Sequence, residues 1–520
     1  MWSSAREARA VGMATAYAAQ RAPDRPAIVS ARGNRSFGEL NANTNRLVRA
    51  LRERGLRPGD SVALLCSNRP EFAEVRLACM RGGWRFTPIN WHLQPDEVRY
   101  VVEDCEARAF VAEERVADAA IGTATGLPDL ATRLSVGAID GFERYDAALD
   151  TCSADDIVDP QLGRQMLYTS GTTGRPKGVS RPPLAPQSRV LAQQGRPEPM
   201  KGGQSVVLCT GPLYHAAPLA GNLALPLDMG VTVVLMDKWD PEETLQLIHA
   251  HGVTHTHMVS TMFHRLLALP EGVRGRYDVS SLRRVTHGAA PTPVHVKRAM
   301  IEWLGPILYE YYAATEGGGT GITSSEWLEK PGSVGRPVTT RKIEILDADG
   351  NAVATGSVGT VYFAAPEEGA FEYYKDPGKT AQAYRGDLFT LGDQGYVDED
   401  GYLFLTGRSS EVIIAGGVNI YPSEVDAVLL MHPAIADAAT VGIPHSEFGE
   451  EVRAVVQLAN GREPTQQLTE ELIAFCRDHL AKYKCPRGVD YDPALPRSDA
   501  GKVQRALVRA RYWKGRDKQI

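Results

Sequence analysis

From Pro26 onward, apolar runs of strand length alternate with amphipathic stretches of helix length, and this alternation restricts the possible folds most. Ala27–Ser30 reads as a strand. Ser36-Phe-Gly-Glu39 carries a capping-box signal that opens a helix bearing Leu40, Leu47 and Leu51 and stopping at Gly55. Pro58-Gly59-Asp60 turns the chain into the buried-strand run Val62–Leu65. A helix from Pro70 ends at Gly82-Gly83, followed by a strand at Arg85–Ile89, a helix at Pro95–Asp104 and a strand at Arg108–Val111. Strands separated by helices demand parallel sheet with helices on its faces, so the chain reads as α/β.

Residues 112–163 carry little signal and read as short elements, and Arg181–Gln204, rich in proline, reads as an irregular excursion. Alternation resumes with Ser205–Cys209, Val231–Met236, a helix from Pro241, Val253–Val259 and Leu282–Thr286. Beyond Gly332 the texture changes to short strands and turns (Lys342–Leu346, Gly359–Phe363, Tyr402–Leu405), as in a small β-barrel or sheet. A boundary is expected at Gly407-Arg408-Ser409-Ser410. Past it lie strand Val412–Ala415, helix Ser423–Leu430, strands Ala438–Val441 and Val452–Leu458, and helix Leu468–Leu480, the pattern of a small α+β domain.

A chain of 520 residues can bury a large core. Its formal net charge of −6 argues against nucleic acid as a partner. Seven cysteines without CxxC spacing suggest free thiols in a reducing compartment. The first twenty residues have no long apolar core and resemble an amphipathic helix rather than a signal peptide. No run approaches the roughly 18 apolar residues of a membrane span. A cytoplasmic location with no transmembrane segment is the expectation.

The most specific string is Tyr168-Thr-Ser-Gly-Thr-Thr-Gly-Arg-Pro-Lys-Gly-Val179. The apolar run Met166-Leu167-Tyr168 feeds a loop containing Thr169, Ser170, Thr172, Thr173, Gly171, Gly174 and Lys177. Glycine lets backbone N–H groups turn toward an anion, hydroxyls add donors, and lysine adds a mobile positive charge. This is the chemistry of a polyphosphate cradle. It departs from the common P-loop, because Pro176 precedes Lys177 and Gly178 follows it. The string resembles the signature loop of the adenylate-forming superfamily, which includes acyl-CoA synthetases, luciferases and peptide-synthetase adenylation domains.

Further strings fall in the order this resemblance requires. Gly211-Pro-Leu-Tyr-His-Ala-Ala-Pro218 would put His215 beside the substrate carboxylate. His287-Gly-Ala-Ala-Pro291, with Gly288, Ala289 and Ala290, would let a flat base pack on backbone. In Tyr309-Glu-Tyr-Tyr-Ala-Ala-Thr-Glu-Gly317 the resemblance makes Tyr312 the adenine-stacking ring, Thr315 an α-phosphate donor and Glu316 the Mg²⁺ ligand; Ala313 stands where glycine is usual. Asp393 would accept from both ribose hydroxyls and Arg408 would meet ribose or phosphate, although Phe389-Thr390-Leu391 replaces the usual residues before Asp393. Ile413-Ile-Ala-Gly-Gly-Val-Asn-Ile-Tyr-Pro422 resembles a loop lining the pantetheine channel of acyl-CoA synthetases, with Gly416 and Gly417 leaving room for the thiol arm. Leu495-Pro-Arg-Ser-Asp-Ala-Gly-Lys-Val503 resembles the terminal loop whose lysine, here Lys502, bridges carboxylate, ribose and α-phosphate.

The resemblance implies a large N-terminal domain (residues 1–407) with two helix-flanked sheets and a small β-barrel. A hinge would follow at 408–411, where Ser410 replaces the usual Asp or Lys, and then a small mobile α+β domain at 412–520. It implies an ATP-dependent carboxylic acid–CoA ligase using ATP, Mg²⁺ and coenzyme A, with release of pyrophosphate and AMP; a homodimer is allowed for. Three alternatives stay open: loading of a carrier protein supplied in trans, activation of another acid or acceptor (nitrite for aryl-amine diazotisation among them), and a non-catalytic nucleotide-binding scaffold. Fatty, aryl and steroid side-chain acids all remain candidate substrates.

Overall fold

The computed structural model describes residues 2–125, 127, 130, 132–169, 176–182, 199–338, 342–366, 370–408, 411–415, 418–445, 448–498 and 502–514. Two parallel-rich sheets dominate the larger N-terminal part. The first runs Arg336–Pro337, Gly317–Thr323, Leu308–Ala314, Arg284–His287, His255–Met258, Val206–Cys209, Thr232–Leu235, Pro26–Ser30, Arg35–Ser36, with its interior pairs parallel. The second is parallel throughout and runs Glu143–Arg144, Thr132–Val136, Ala107–Glu113, Ser61–Leu65, Arg85–Ile89, Arg164–Gln165.

Alternating side chains of Ser61–Leu65 explain how the layers stack. Val62 and Leu64 face a core shared with the first sheet through Ile28, Cys209 and Val233. Ala63 and Leu65 face a second core covered by the helices Pro95–Asp104 and Ala117–Ala124. A third core covers the far face of the first sheet with Pro241–His251, Ser260–Leu267 and Val294–Leu304. Each strand surface is thus covered twice, as period-two burial requires of parallel sheet.

Helix ends follow local chemistry. Ser36 and Glu39 form the expected capping box at the start of Phe37–Glu53. Pro70 opens Pro70–Gly82, and Gly83 closes it with φ +79°, a left-handed cap that suits glycine. All seven cysteines are free and buried. No helix among the described residues is long and apolar enough to cross a membrane.

The antiparallel unit expected beyond Gly332 is present: Ile343–Leu346, Gly359–Ala364, Leu388–Val397 and Tyr384–Arg385, with Leu403–Arg408 on Leu388–Val397. The smaller C-terminal part carries its own sheet, built on the antiparallel pair Ile435–His445 and Gly449–Leu458, and its own core around Ile413, Val425, Val452 and Leu472. Helices Pro422–Leu429 and Gln466–His479 pack on it. The anticipated hinge residues Ser409 and Ser410 lie outside the described residues.

Candidate active site

Parallel strands bring their carboxyl ends to one side of a sheet, which is where ligands of such folds sit. Here those ends open into a cavity of about 1690 Å³. Its wall takes Thr210 after Val206–Cys209, His257 from His255–Met258, Ala289 after Arg284–His287, and Tyr311 and Ala313 from Leu308–Ala314. Arg497 and Lys502 of the C-terminal part line the same space.

Thr169 ends the strand Leu167–Thr169 and Lys177 begins Lys177–Ser180, paired in antiparallel register, and both line the cavity. The cradle is therefore the connection between two adjacent strands. Its residues Ser170, Gly171, Thr172, Thr173 and Gly174 lie outside the described residues. The Lys177 ammonium sits 5.9 Å from the Tyr373 ring centroid. Tyr373 in turn donates its hydroxyl to Glu316 Oε1 at 3.0 Å, so one aromatic ring links the cradle lysine to the acidic residue.

Thr315, Glu316 and His215 all line the cavity. Arg181 donates to the Thr315 carbonyl at 3.0 Å, tying the cradle's exit to the Thr-Glu turn. Of the Gly288-Ala289-Ala290 string, Ala289 reaches the cavity, with φ +67°, a left-handed backbone rarely taken outside glycine. Gly288 is required sterically: a Cβ there would stand 2.5 Å from the Tyr311 carbonyl oxygen and 2.7 Å from its ring.

Tyr312 and Asp393 are brought together, beside the cavity-lining residues Tyr311, Ala313 and Leu391. The Tyr312 hydroxyl donates to Asp393 Oδ2 at 2.5 Å, and its ring lies 5.8 Å from that of Phe363. Asp393 is buried, and its backbone pairs with Arg408 across the antiparallel strands. Gly416 and Gly417 lie outside the described residues. The Lys502 turn is closed by backbone: Ser498 donates to the Lys502 carbonyl at 2.8 Å, and Lys502 N–H donates to Ser498 Oγ at 3.3 Å.

Among the described residues no three His, Cys, Asp or Glu side chains converge to hold a metal ion. A cation at Glu316 would take one protein carboxylate and complete its shell from phosphate and water oxygens. That fits Mg²⁺, which keeps several waters and arrives with phosphates.

Sequence reasoning singled out the histidine-rich stretch Thr254–Met258 as approaching the acyl site, but not Arg181, Tyr373, Arg497 or the pair that His257 of that stretch makes with Tyr311. In that pair, His257 Nε2 lies 3.0 Å from the Tyr311 hydroxyl. Burial pulls the His257 imidazole down to about 4 and pushes the Tyr311 phenol up to about 12. Both are neutral near pH 7.

The family model for AMP-binding enzymes matches residues 15–374, and that for the AMP-binding enzyme C-terminal domain matches 424–502. A fatty acid–[acyl-carrier-protein] ligase, ScoC of Streptomyces coeruleorubidus, is 31% identical over 510 residues, 96% of each chain. A 2-succinylbenzoate–CoA ligase of Geobacillus kaustophilus is 32% identical over 495 residues, 93% of this chain and 94% of that one. The solved structure of the amide bond synthetase McbA from Marinactinospora thermotolerans superposes with a TM-score of 0.83 at 29% identity, covering 96% of this chain and 99% of that one. With both family models matched in order and relatives of this kind aligned along nearly its whole length, the chain belongs to the adenylate-forming family of AMP-binding enzymes.

Proposed function

We propose that the chain is an ATP-dependent carboxylic acid–CoA ligase working through an acyl-adenylate. The observation that carries this is the convergence of Lys177, Glu316 and His215 with Lys502 from the C-terminal part on one cavity. A carboxylate oxygen of the acid attacks the α-phosphorus of ATP; the new P–O bond forms as the bond to the β-phosphate oxygen breaks, and pyrophosphate leaves. Lys502 and Lys177 offset the negative charge on the transferring group, which is the main service a protein renders to such a step. Bound at Glu316, Mg²⁺ would supply charge neutralisation of the phosphates. Thr315 donates to the α-phosphate, and His215 orients the carboxylate.

In the second half-reaction the thiol of CoA attacks the acyl carbon, loses its proton to solvent, and AMP leaves with the electrons of the broken acyl–phosphate bond. Residues 1–407 form the adenylating domain, 408–411 the hinge and 412–520 the domain that rotates between half-reactions. In this reading Gly416 and Gly417 pass the thiol arm, while Ser170–Gly174 and the backbone at Gly288–Ala290 receive phosphate and base.

The reading is tested by measuring pyrophosphate and AMP release over a panel of fatty, aryl and steroid side-chain acids. Each acid is run with CoA, with a phosphopantetheinylated carrier protein, with an amine, and with no acceptor. The expected result is acid-dependent pyrophosphate release, with thioester formed on CoA. Thioester on the carrier alone, or amide alone, would reassign the acceptor, and no pyrophosphate release with any acid would remove the ligase assignment.

The nucleotide site gives a narrower expectation. Asp393→Ala removes a charged acceptor for the ribose hydroxyls and the anchor of the Tyr312 hydroxyl. The expected loss in ATP and AMP affinity is about 1.5–3 kcal/mol, the worth of hydrogen bonds to a charged group. Calorimetric titration checks it; unchanged affinity in a variant with a normal melt would take Asp393 out of the site.

A further inference from the structure

We propose that His287, bonded to Thr292, is a positioning residue: together they hold the loop Gly288–Ala290 in the shape that receives the nucleotide base. This rests on the ligase reading above, which gives that loop to the base. The loop is short and joins the strand Arg284–His287 to the helix Val294–Leu304.

Ala289 is where the loop needs holding. Its φ of +67° lies in the left-handed region, which a Cβ disfavours. The side chain is exposed and lines the cavity, so its own packing does not impose that conformation. The constraint has to come from the two ends of the loop.

His287 is fully buried at the first end. Its Nδ1 lies 3.3 Å from the Thr292 hydroxyl, a bond that spans residues 288–291 and draws the ends together. The far side of the ring decides which atom donates. There Nε2 faces Glu310 Oε2 at 3.8 Å, too far for a hydrogen bond but close enough for the carboxylate to favour a proton on Nε2. Burial and then the Lys297 charge keep the imidazole neutral. Nδ1 is thus the acceptor and the Thr292 hydroxyl the donor.

Glu310 holds both ends from below. Lys297, in the first turn of Val294–Leu304, pairs with the same Oε2 at 2.5 Å, so strand and helix are both fixed to one oxygen on Leu308–Ala314. Gly288 adds a restraint of its own, because a Cβ there would stand 2.5 Å from the Tyr311 carbonyl oxygen. Leu308–Ala314 leads directly into Thr315 and Glu316, so the base loop and that turn share one support.

The test is calorimetric titration with AMP, adenosine and pyrophosphate. Thr292→Val removes the hydroxyl at nearly constant volume, and should weaken AMP and adenosine about 3–10-fold, the ordinary worth of one hydrogen bond. Pyrophosphate, which has no base, should bind as before, and Thr292→Ser, which keeps the hydroxyl, should hold wild-type affinity. Ala289→Gly supplies the sharper arm, since glycine takes a left-handed φ freely. It should recover most of the loss in Thr292→Val and do much less in the wild type, whose loop is already held; a double-mutant cycle reads the difference. His287→Leu should reproduce the Thr292→Val loss without adding to it; if that variant does not fold, the Thr292 series decides by the same criteria. Unchanged AMP affinity in a Thr292→Val that melts normally overturns the proposal. So does a loss shared by pyrophosphate, a Thr292→Ser as weak as Thr292→Val, or an equal gain from Ala289→Gly in both backgrounds. Each of these leaves the ligase reading in place, whereas a wild type that binds neither AMP nor adenosine overturns both.

Discussion

Replacing Lys297 by alanine is expected to destabilise the N-terminal part by about 3–5 kcal/mol, the cost of stranding one member of a buried ion pair. The Lys297 ammonium lies 2.5 Å from Glu310 Oε2, and the lysine side chain is fully buried. The Trp327 ring centroid is 4.6 Å from the ammonium, and His287 Nε2 is 3.8 Å from the same carboxylate oxygen. Burial first, and then the neighbouring Lys297 charge, hold the His287 pKa well below the usual histidine value, so the lysine is the cation that faces Glu310. Burial also raises Glu310 above the ordinary carboxylate range, an effect that Lys297 opposes.

The pH dependence has a definite sign. A carboxyl whose folded pKa is raised contributes stability that is fully present below its unfolded value, about 4.3, and lost as pH rises through the folded value. Removing Lys297 raises the folded value further. The deficit of Lys297→Ala should therefore be small near pH 5 and large near pH 8, read as the shift of the urea midpoint relative to wild type. Lys297→Met combined with Glu310→Met should recover most of the loss, because an apolar pair of similar volume leaves no charge unpaired. Equal midpoints for Lys297→Ala and wild type at both pH values would show that the pair carries no such weight.

Elements whose ends are written in local chemistry were legible from sequence. Pro70–Gly82 and Pro95–Asp104 begin at proline, and the first of them ends at a left-handed glycine, so their bounds follow from residue type alone. The strand Arg85–Ile89 lies between two such signals. By contrast, no sequence signal marked Gly317–Thr323, whose glycines 317–319 have little strand propensity; it is a strand because Leu308–Ala314 pairs with it, across a register shift between Tyr312 and Ala314. The parallel strand Thr132–Val136 lay in a stretch without clear pattern, and its place at the second sheet's margin comes from pairing with Ala107–Glu113.

The site divides along the same line. Lys177, His215, Thr315, Glu316 and Lys502 were singled out because each sits in a string of characteristic spacing, and all five line the cavity. His257 and Tyr311 were not found as a pair. Their contact depends on strand order and on a missing Cβ at Gly288, and neither is visible over a separation of 54 residues. Tyr312 and Asp393 were each singled out, but the hydroxyl–carboxylate bond that joins them is tertiary.

Lys502→Ala is expected to slow adenylate formation on the order of 10²–10³-fold, as loss of other preorganised charge contacts does. The side chain lines the cavity from a turn that the C-terminal part holds firmly. Arg497 and Val503 form a β-bridge across the turn, and Arg497 is ion-paired with Asp437 on Ile435–His445. Three residues after Lys502, Arg505 binds Glu411, the last residue of the anticipated hinge, and Asp426 of the small domain, each at 2.5 Å. A rotation about that hinge would thus carry Lys502 with it as part of a rigid body. The lysine should matter only while the α-phosphorus is under attack. Given a preformed acyl-adenylate, Lys502→Ala should transfer the acyl group to CoA at close to the wild-type rate, because the extra charge that builds on the α-phosphoryl oxygens during attack is gone once the adenylate has formed. Single-turnover assays that start each half-reaction separately make the comparison. A variant equally slow from preformed adenylate would mean that Lys502 serves both steps, and the rotating-domain mechanism would fail for this chain.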